Sequence, residues 1–393
     1  RTLTLSQHRF FLTPPADRKL EDVHWEVPLQ IRGAPGEAPR AVLLTRDGQR
    51  VQAGDCEEPL SVDAGAIGYY RVQYDPATLA VDTRGFDTVP DGDRIALLDD
   101  QWALVEARDA QLASYLALAQ RMGSDLDTRA WQQITAALGT IEYDERGSAG
   151  HDAFAAYARS IIKPLEARLG WESRAGEGPD VQKLRHTVIE DLGAWGDPAV
   201  IAGARRRFAQ FVRDPSSLTP DEQTMILDVV GTYADAATFD ELHKLAEQSQ
   251  DEAQKSRLYV ALAMVRDPKL AAEAAKIAAG PEIPPQLATM RLQMFMSLRS
   301  AHPKLAWDVF SGNAARLLAP FGELAPLFEA QYIPQMFWNS LPADRMQAWL
   351  EAHVPAQMGP QIAKGMEGAR FQVALKKRLV PEADAFLAAR ART

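Results

Sequence analysis

Apolar residues recur at every second position up to about residue 83, and at every third or fourth from about residue 92 onward. Side chains alternate faces along a strand but return to one face after each turn of helix. A single change of period therefore confines the chain to a short β part followed by a long helical one. The β part is clearest in WEVPLQIR, where Trp25, Val27, Leu29 and Ile31 share one face and Glu26, Gln30 and Arg32 the other. Pro28 has no amide to donate, which assigns this strand to an edge or a bulge. Leu3 and Leu5 open another strand, and Asp47-Gly48 lies between extended runs as a hairpin signal. GYYRVQYD, Gly68 to Asp75, then places Tyr70, Val72 and Tyr74 on a core side and Tyr69, Arg71, Gln73 and Asp75 outside, until Pro76 stops it. Residues 1–83 are thus expected to form a small β-sandwich with GYYRVQYD as its last strand.

The remainder, residues 84–393, reads as a series of short helices. Ile95, Leu98, Trp102 and Val105 form one apolar stripe, and Trp131, Ile134, Leu138 and Ile141 another. Asp197-Pro198 and Asp267-Pro268 each offer an N-cap followed by a proline at the first helical position, where its missing amide costs least. Thr219-Pro220-Asp221-Glu222 adds a capping box. So many short pairs with brief connections bury their stripes by stacking sideways. The expected fold is mainly α, an irregular α-α superhelix of the HEAT or armadillo kind preceded by the small sandwich.

Hydrophobic residues at 46% and charged residues at 24% place the chain among ordinary globular proteins. A net charge of −10 opposes a phosphate-binding surface, so no nucleic-acid partner is expected, and Arg205-Arg206-Arg207 and Lys376-Lys377-Arg378 read as solvated helix faces. No apolar run approaches the length of a membrane span, and Cys56 has no second cysteine for a disulfide or a thiolate cluster.

Catalytic motifs are missing. None of His8, His24, His151, His186, His243, His302 and His353 lies within four residues of another, so no H-E-x-x-H zinc helix exists, and no metal ligands or catalytic residues are assigned. There is no G-x-S-x-G elbow, no phosphate-binding G-x-x-x-x-G-K-[ST] loop and no G-x-G-x-x-G. Glu57 and Glu58 beside Cys56 oppose a reactive thiolate. Asp99 and Asp100 point about 100° apart on a helix and cannot act as a dyad; one is expected in solvent and the other hydrogen-bonded to a loop or an arginine.

Four fragments carry a resemblance. Leu5-Ser6-Gln7-His8-Arg9-Phe10, Trp25-Glu26-Val27-Pro28-Leu29, GYYRVQYD and Asp93-Arg94-Ile95-Ala96-Leu97-Leu98-Asp99-Asp100 occur in an order and spacing that resembles the aminopeptidase N family of zinc metallopeptidases. Leu169-Gly170-Trp171 and Leu305-Ala306-Trp307 extend the likeness more loosely, and Gln73 stands where the family more often has Asn. In that family a β-domain, a thermolysin-like catalytic domain, a small β-sandwich and a helical superhelix follow one another. This chain resembles the last two, with the start at Arg1 cutting into the sandwich.

The resemblance implies that the zinc and the catalytic residues belong to a catalytic domain absent from this chain, which alone is expected to be inactive and without a cofactor. The expected partners are that domain of the same polypeptide and the C-terminal part of a peptide substrate, with the helices walling the active-site cavity. Arg299, at the end of a helix in Ser297-Leu298-Arg299-Ser300, is the expected substrate contact, since a guanidinium pairs bidentately with a peptide carboxylate. Two other readings are a free-standing helical-repeat scaffold that binds proteins, and an intact enzyme whose metal ligands are scattered.

Overall fold

A computed structural model describes residues 1–13, 23–283 and 287–392. The chain is mainly helical, and the β part is smaller than its alternation suggested. Four strands, β1 (Thr2–Leu5), β2 (Val27–Ile31), β3 (Arg40–Leu44) and β4 (Gln49–Gln52), form two antiparallel ladders, β1 with β4 and β2 with β3. Leu29, Ile31, Leu44, Val51, Leu60 and Val62 fill one core between them, with Leu3, Leu5, Tyr70, Val72 and Tyr74 packed against it. The alternation thus assigned the faces correctly except at Trp25, which lies outside the strand and is exposed.

Two expectations about the strands are corrected. Asp47-Gly48 does turn, with Gly48 in the left-handed region at φ +72°, but the turn joins β3 and β4, which belong to different ladders. It is a crossing between sheets rather than a hairpin, because the Gly48 amide donates to Leu5 O and hands β4 to β1. GYYRVQYD joins neither ladder: Gly68 to Tyr70 bend and Arg71 to Asp75 carry no regular structure. Of its amides, Gly68 donates to Asp63 and Val72 to Asp100 on a helix.

The helix boundaries follow the local chemistry read from the sequence. Asp75, Asp197 and Asp267 each accept from the two amides that open the next helix, and Thr219 and Glu222 form the reciprocal box. Trp131, Ile134, Leu138 and Ile141 are wholly buried, as are Leu98 and Val105. Helix Asp91–Ala107 buries more than a stripe: Asp93, Arg94, Asp100 and Gln101 are buried too, which a purely apolar count misses.

Contacts group the residues into two compact units, the first made of 1–144, 149–185 and 379–393, the second of 145–148 and 186–378. By kind of secondary structure the division falls elsewhere: the last strand ends at Gln52, and helix Pro76–Arg84 already lies within the residues expected to be β. In the first unit, helices Asp91–Ala107 and Leu112–Ala119 pack on each other. In the second, helices Pro220–Thr232, Glu252–Leu262 and Ala288–Ala301 stack in one row, and Pro268–Ala279 and Pro303–Ser311 in another against it. The first row approaches to backbone contact: a Cβ on Gly231 would lie 2.1 Å from the carbonyl oxygen of Ala261. Gly231→Ala therefore forces two helices apart and is expected to lower the stability of this unit by about 1–2 kcal/mol, read from urea unfolding. An unchanged midpoint would show that the row yields freely.

Candidate functional site

Two places are singled out by the sequence, the GYYRVQYD segment and Arg299. Around the first, three carboxylates carried by helices each take one backbone amide from residues 60–72. Asp82 accepts from the Leu60 amide at 2.8 Å, Asp93 from Gly65 at 2.6 Å and Asp100 from Val72 at 2.8 Å. Each acid sits on helix Pro76–Arg84 or Asp91–Ala107, whose rigid spacing fixes where the extended chain must run. An irregular segment cannot be buried with its amides unsatisfied, so these acids replace the ladder that a strand would have supplied.

Side chains complete the clasp. Arg71 donates to Asp100 Oδ1 at 3.4 Å and to the Asp99 carbonyl at 3.2 Å, and its guanidinium lies 5.3 Å from the centre of the Phe10 ring. Arg32 pairs with Asp93 at 3.1 Å, and Gln73 donates to the Asp109 carbonyl at 2.8 Å. Tyr70 donates its hydroxyl to Val62 O at 3.1 Å, while the Tyr74 hydroxyl accepts from the Val62 amide at 3.0 Å. Leu5, Leu29 and Tyr70, from three of the fragments that carried the resemblance, pack in one core, Arg71 meets Phe10, and DRIALLDD supplies Asp93 and Asp100. The fragments are therefore parts of one packing arrangement.

Burial dominates the electrostatics. It pushes the Asp100 carboxyl up to about 7 and the Asp82 carboxyl up to about 6, with the Val72 and Leu60 amides pulling each of them down. Burial likewise raises the Tyr70 and Tyr74 hydroxyls, which stay protonated. Such pKa values can accompany catalysis, but geometry decides here. The cavity lined by Leu60, Val72, Tyr74, Asp82, Asp93 and Asp100 is about 10 Å³, at most one water, so no substrate reaches these acids. The arrangement is structural. Asp100 takes an arginine and a loop amide, as expected of one of the pair; Asp99 is partly buried and leaves only its carbonyl in the clasp.

Arg299 lies in the last turn of helix Ala288–Ala301, where the sequence put it, and is partly buried. The Arg146 guanidinium donates to the carbonyl of Ser300 in the same turn at 3.2 Å. Arg146 thus brings a guanidinium to the helix end whose last turn holds Arg299, where the exposed carbonyls favour cations. Sequence reasoning found Arg299 from its position in a helix but not Arg146, which is 154 residues from Ser300 and outside any helical pattern with it.

Comparison with known proteins adds what geometry cannot. The ERAP1-like C-terminal domain family matches residues 60–370. Aminopeptidase 2 of Candida albicans is 23% identical over 252 residues, covering 62% of this chain and 27% of that protein. Aminopeptidase M1-A of Oryza sativa is 25% identical over 277 residues, covering 65% and 31%. Glutamyl aminopeptidase of Mus musculus is 22% identical over 337 residues, covering 81% and 35%. The chain spans between about a quarter and a third of the length of these relatives.

Proposed function

Because the chain belongs to the family of ERAP1-like C-terminal domains, we infer that it is the non-catalytic C-terminal portion of a zinc aminopeptidase, walling an active-site cavity and restricting it to peptides. The observation that carries this reading is the family match over residues 60–370, which takes in both the clasp and the stacked helices. Similar proteins named as aminopeptidases support the same assignment. The chain holds no H-E-x-x-H helix, so its residues do not fit a catalytic zinc of that kind and no chemical step is assigned to them. Its contribution is exclusion: a substrate must fit the space that the helices leave, and folded proteins are rejected by size.

Within this reading Arg299, with Arg146 on the same helix end, receives the terminal carboxylate of a long peptide. In the polypeptide that joins this chain to its catalytic domain, Arg299→Ala is expected to raise KM for peptides of about ten residues several-fold, with KM for a single-residue amide unchanged, as for loss of one charged hydrogen bond outside the reacting centre. Equal effects on both substrates would refute the contact. The assignment itself has a separate test. The reading frame upstream of Arg1 is expected to encode H-E-x-x-H, whereas a start codon beside Arg1 would favour a free-standing scaffold.

A further inference from the structure

Three side chains of the second compact unit converge where the sequence offered only a lone histidine. His243 and Glu247 are four residues apart in helix Ala236–Gln248 and so lie on one face, and Glu282 reaches them from the segment after helix Pro268–Ala279. One imidazole nitrogen and one oxygen from each carboxylate all lie within 4.8 Å of one another. We propose that His243, Glu247 and Glu282 bind a divalent cation of the zinc class, with water completing its coordination.

The third ligand is held in place before any metal arrives. Ile283 beside it is wholly buried, and the buried Arg291 donates to the carbonyls of Ala278 at 3.1 Å, Gly280 at 2.9 Å and Ile283. The backbone is therefore pinned on both sides of Glu282. Tyr259 donates its hydroxyl to Glu282 Oε1 at 2.7 Å and meets the His243 ring edge-on at 6.3 Å. A tyrosine that orients a ligating carboxylate is the usual second layer of such a site.

Charge points the same way. His243 Nε2 lies 2.7 Å from Glu282 Oε1, and Glu247 has no hydrogen-bond or ion-pair partner for its carboxylate among the described residues. Lys255 reaches only the backbone carbonyl of Glu247. Two acids are thus gathered with no lysine or arginine paired to either among the described residues, and an exposed His–Glu pair contributes little by itself. One imidazole with two carboxylates suits zinc, nickel or copper over magnesium or calcium, which favour all-oxygen shells. Bound there, the ion ties helix Ala236–Gln248 to the segment that follows helix Pro268–Ala279.

Calorimetric titration of the chain, stripped of metal by chelator, with zinc chloride tests this. One equivalent is expected to bind with a Kd on the order of micromolar or tighter. His243→Ala and Glu282→Gln are expected to weaken binding more than about 30-fold, and Glu247→Gln and Tyr259→Phe about 10-fold, as for loss of ligands and of their orienting partners. Glu247 is exposed and its carboxylate holds no partner among the described residues, so Glu247→Gln leaves the fold intact and decides the matter even if the other variants unfold. Absence of saturable binding, or variants that bind as tightly as the parent chain, overturns the site.

Discussion

Arg94→Ala is expected to destabilise the first compact unit by about 2–4 kcal/mol, less than the full cost of breaking a buried ion pair because Asp91 and Asp125 both reach solvent. The Arg94 side chain is 7% exposed and bonds Asp91 at 2.6 Å and Asp125 at 3.1 Å, with Asp127 at 4.0 Å. Those last two acids build the turn that opens helix Thr128–Glu145. Asp125 Oδ1 accepts from the Asp127 amide at 2.9 Å, its carbonyl accepts from the Trp131 indole at 2.7 Å, and Asp127 caps the amides of Arg129 and Ala130 at 3.1 and 3.2 Å. Taking the guanidinium away leaves Asp125 and Asp127 without the cation they share beneath a helix whose Trp131 is wholly buried. Arg94→Lys keeps the charge but reaches fewer of these oxygens, so it is expected to recover only part of the loss. Chemical unfolding followed by tryptophan fluorescence measures both. A loss under about 1 kcal/mol for the alanine variant would mean that the turn holds itself together.

How much of this could be read from residues alone depends on the range of the interaction. The caps at Asp197, Asp267 and Thr219 were legible because donor and acceptor lie within three residues of each other. The apolar stripe of Trp131, Ile134, Leu138 and Ile141 was legible because a helix repeats it four times. GYYRVQYD was misread as a strand for a definite reason. Alternation reports which side of a segment faces the core, and that was right, with Tyr70, Val72 and Tyr74 inward and Tyr69 fully exposed. It does not report where the amides go, and here Gly68 donates to Asp63 and Val72 to Asp100, a helix acid 28 residues away. The same limit hid Glu282 from His243, since 39 residues separate them and no periodicity connects a helix face to a distant loop. Arg299 was placed at a helix end because that position is local; its role depends on a ligand and was not.

The acids of the clasp make a second large prediction, and its sign is opposite to the usual one for carboxylates. Asp100 is raised by burial from 3.8 to about 7, so the folded state binds its proton more tightly than the unfolded state does. Its contribution is then complete below the unfolded value and is lost as pH rises through the folded one. For a folded pKa near 7, linkage gives a loss of about 1.4 kcal/mol between pH 6 and pH 8. Asp82, raised to about 6, adds to the same slope at lower pH. Asp75 and Asp125 run the other way. Its hydrogen bonds to Thr78 hold Asp75 below its ordinary value; against the pull of burial, the Asp127 amide and Arg94 do the same for Asp125, so both contributions fade as the solution becomes strongly acidic. The first unit is therefore expected to be most stable at about pH 4, near the unfolded carboxylate value, since Asp100 and Asp82 lose their contribution above it and Asp75 and Asp125 theirs below it.

Two substitutions separate the parts of that argument. Asp100→Ala removes the acceptor of the Val72 amide and the partner of Arg71 together, and is expected to cost about 2–4 kcal/mol at pH 6, the sum expected for a buried donor left unsatisfied and a second hydrogen bond lost. Asp100→Asn keeps an oxygen for the Val72 amide and cannot ionise. It is expected to cost less than the alanine at pH 6 and to abolish most of the decline between pH 6 and pH 8. Native-state hydrogen exchange of amides in helix Asp91–Ala107 reads this unit directly, whatever the other one does. If the asparagine variant declines with pH as steeply as the parent chain, the proton is not on Asp100. The clasp would then hold an ionised carboxylate, stabilised by Arg71 and the Val72 amide in excess of the cost of burying it.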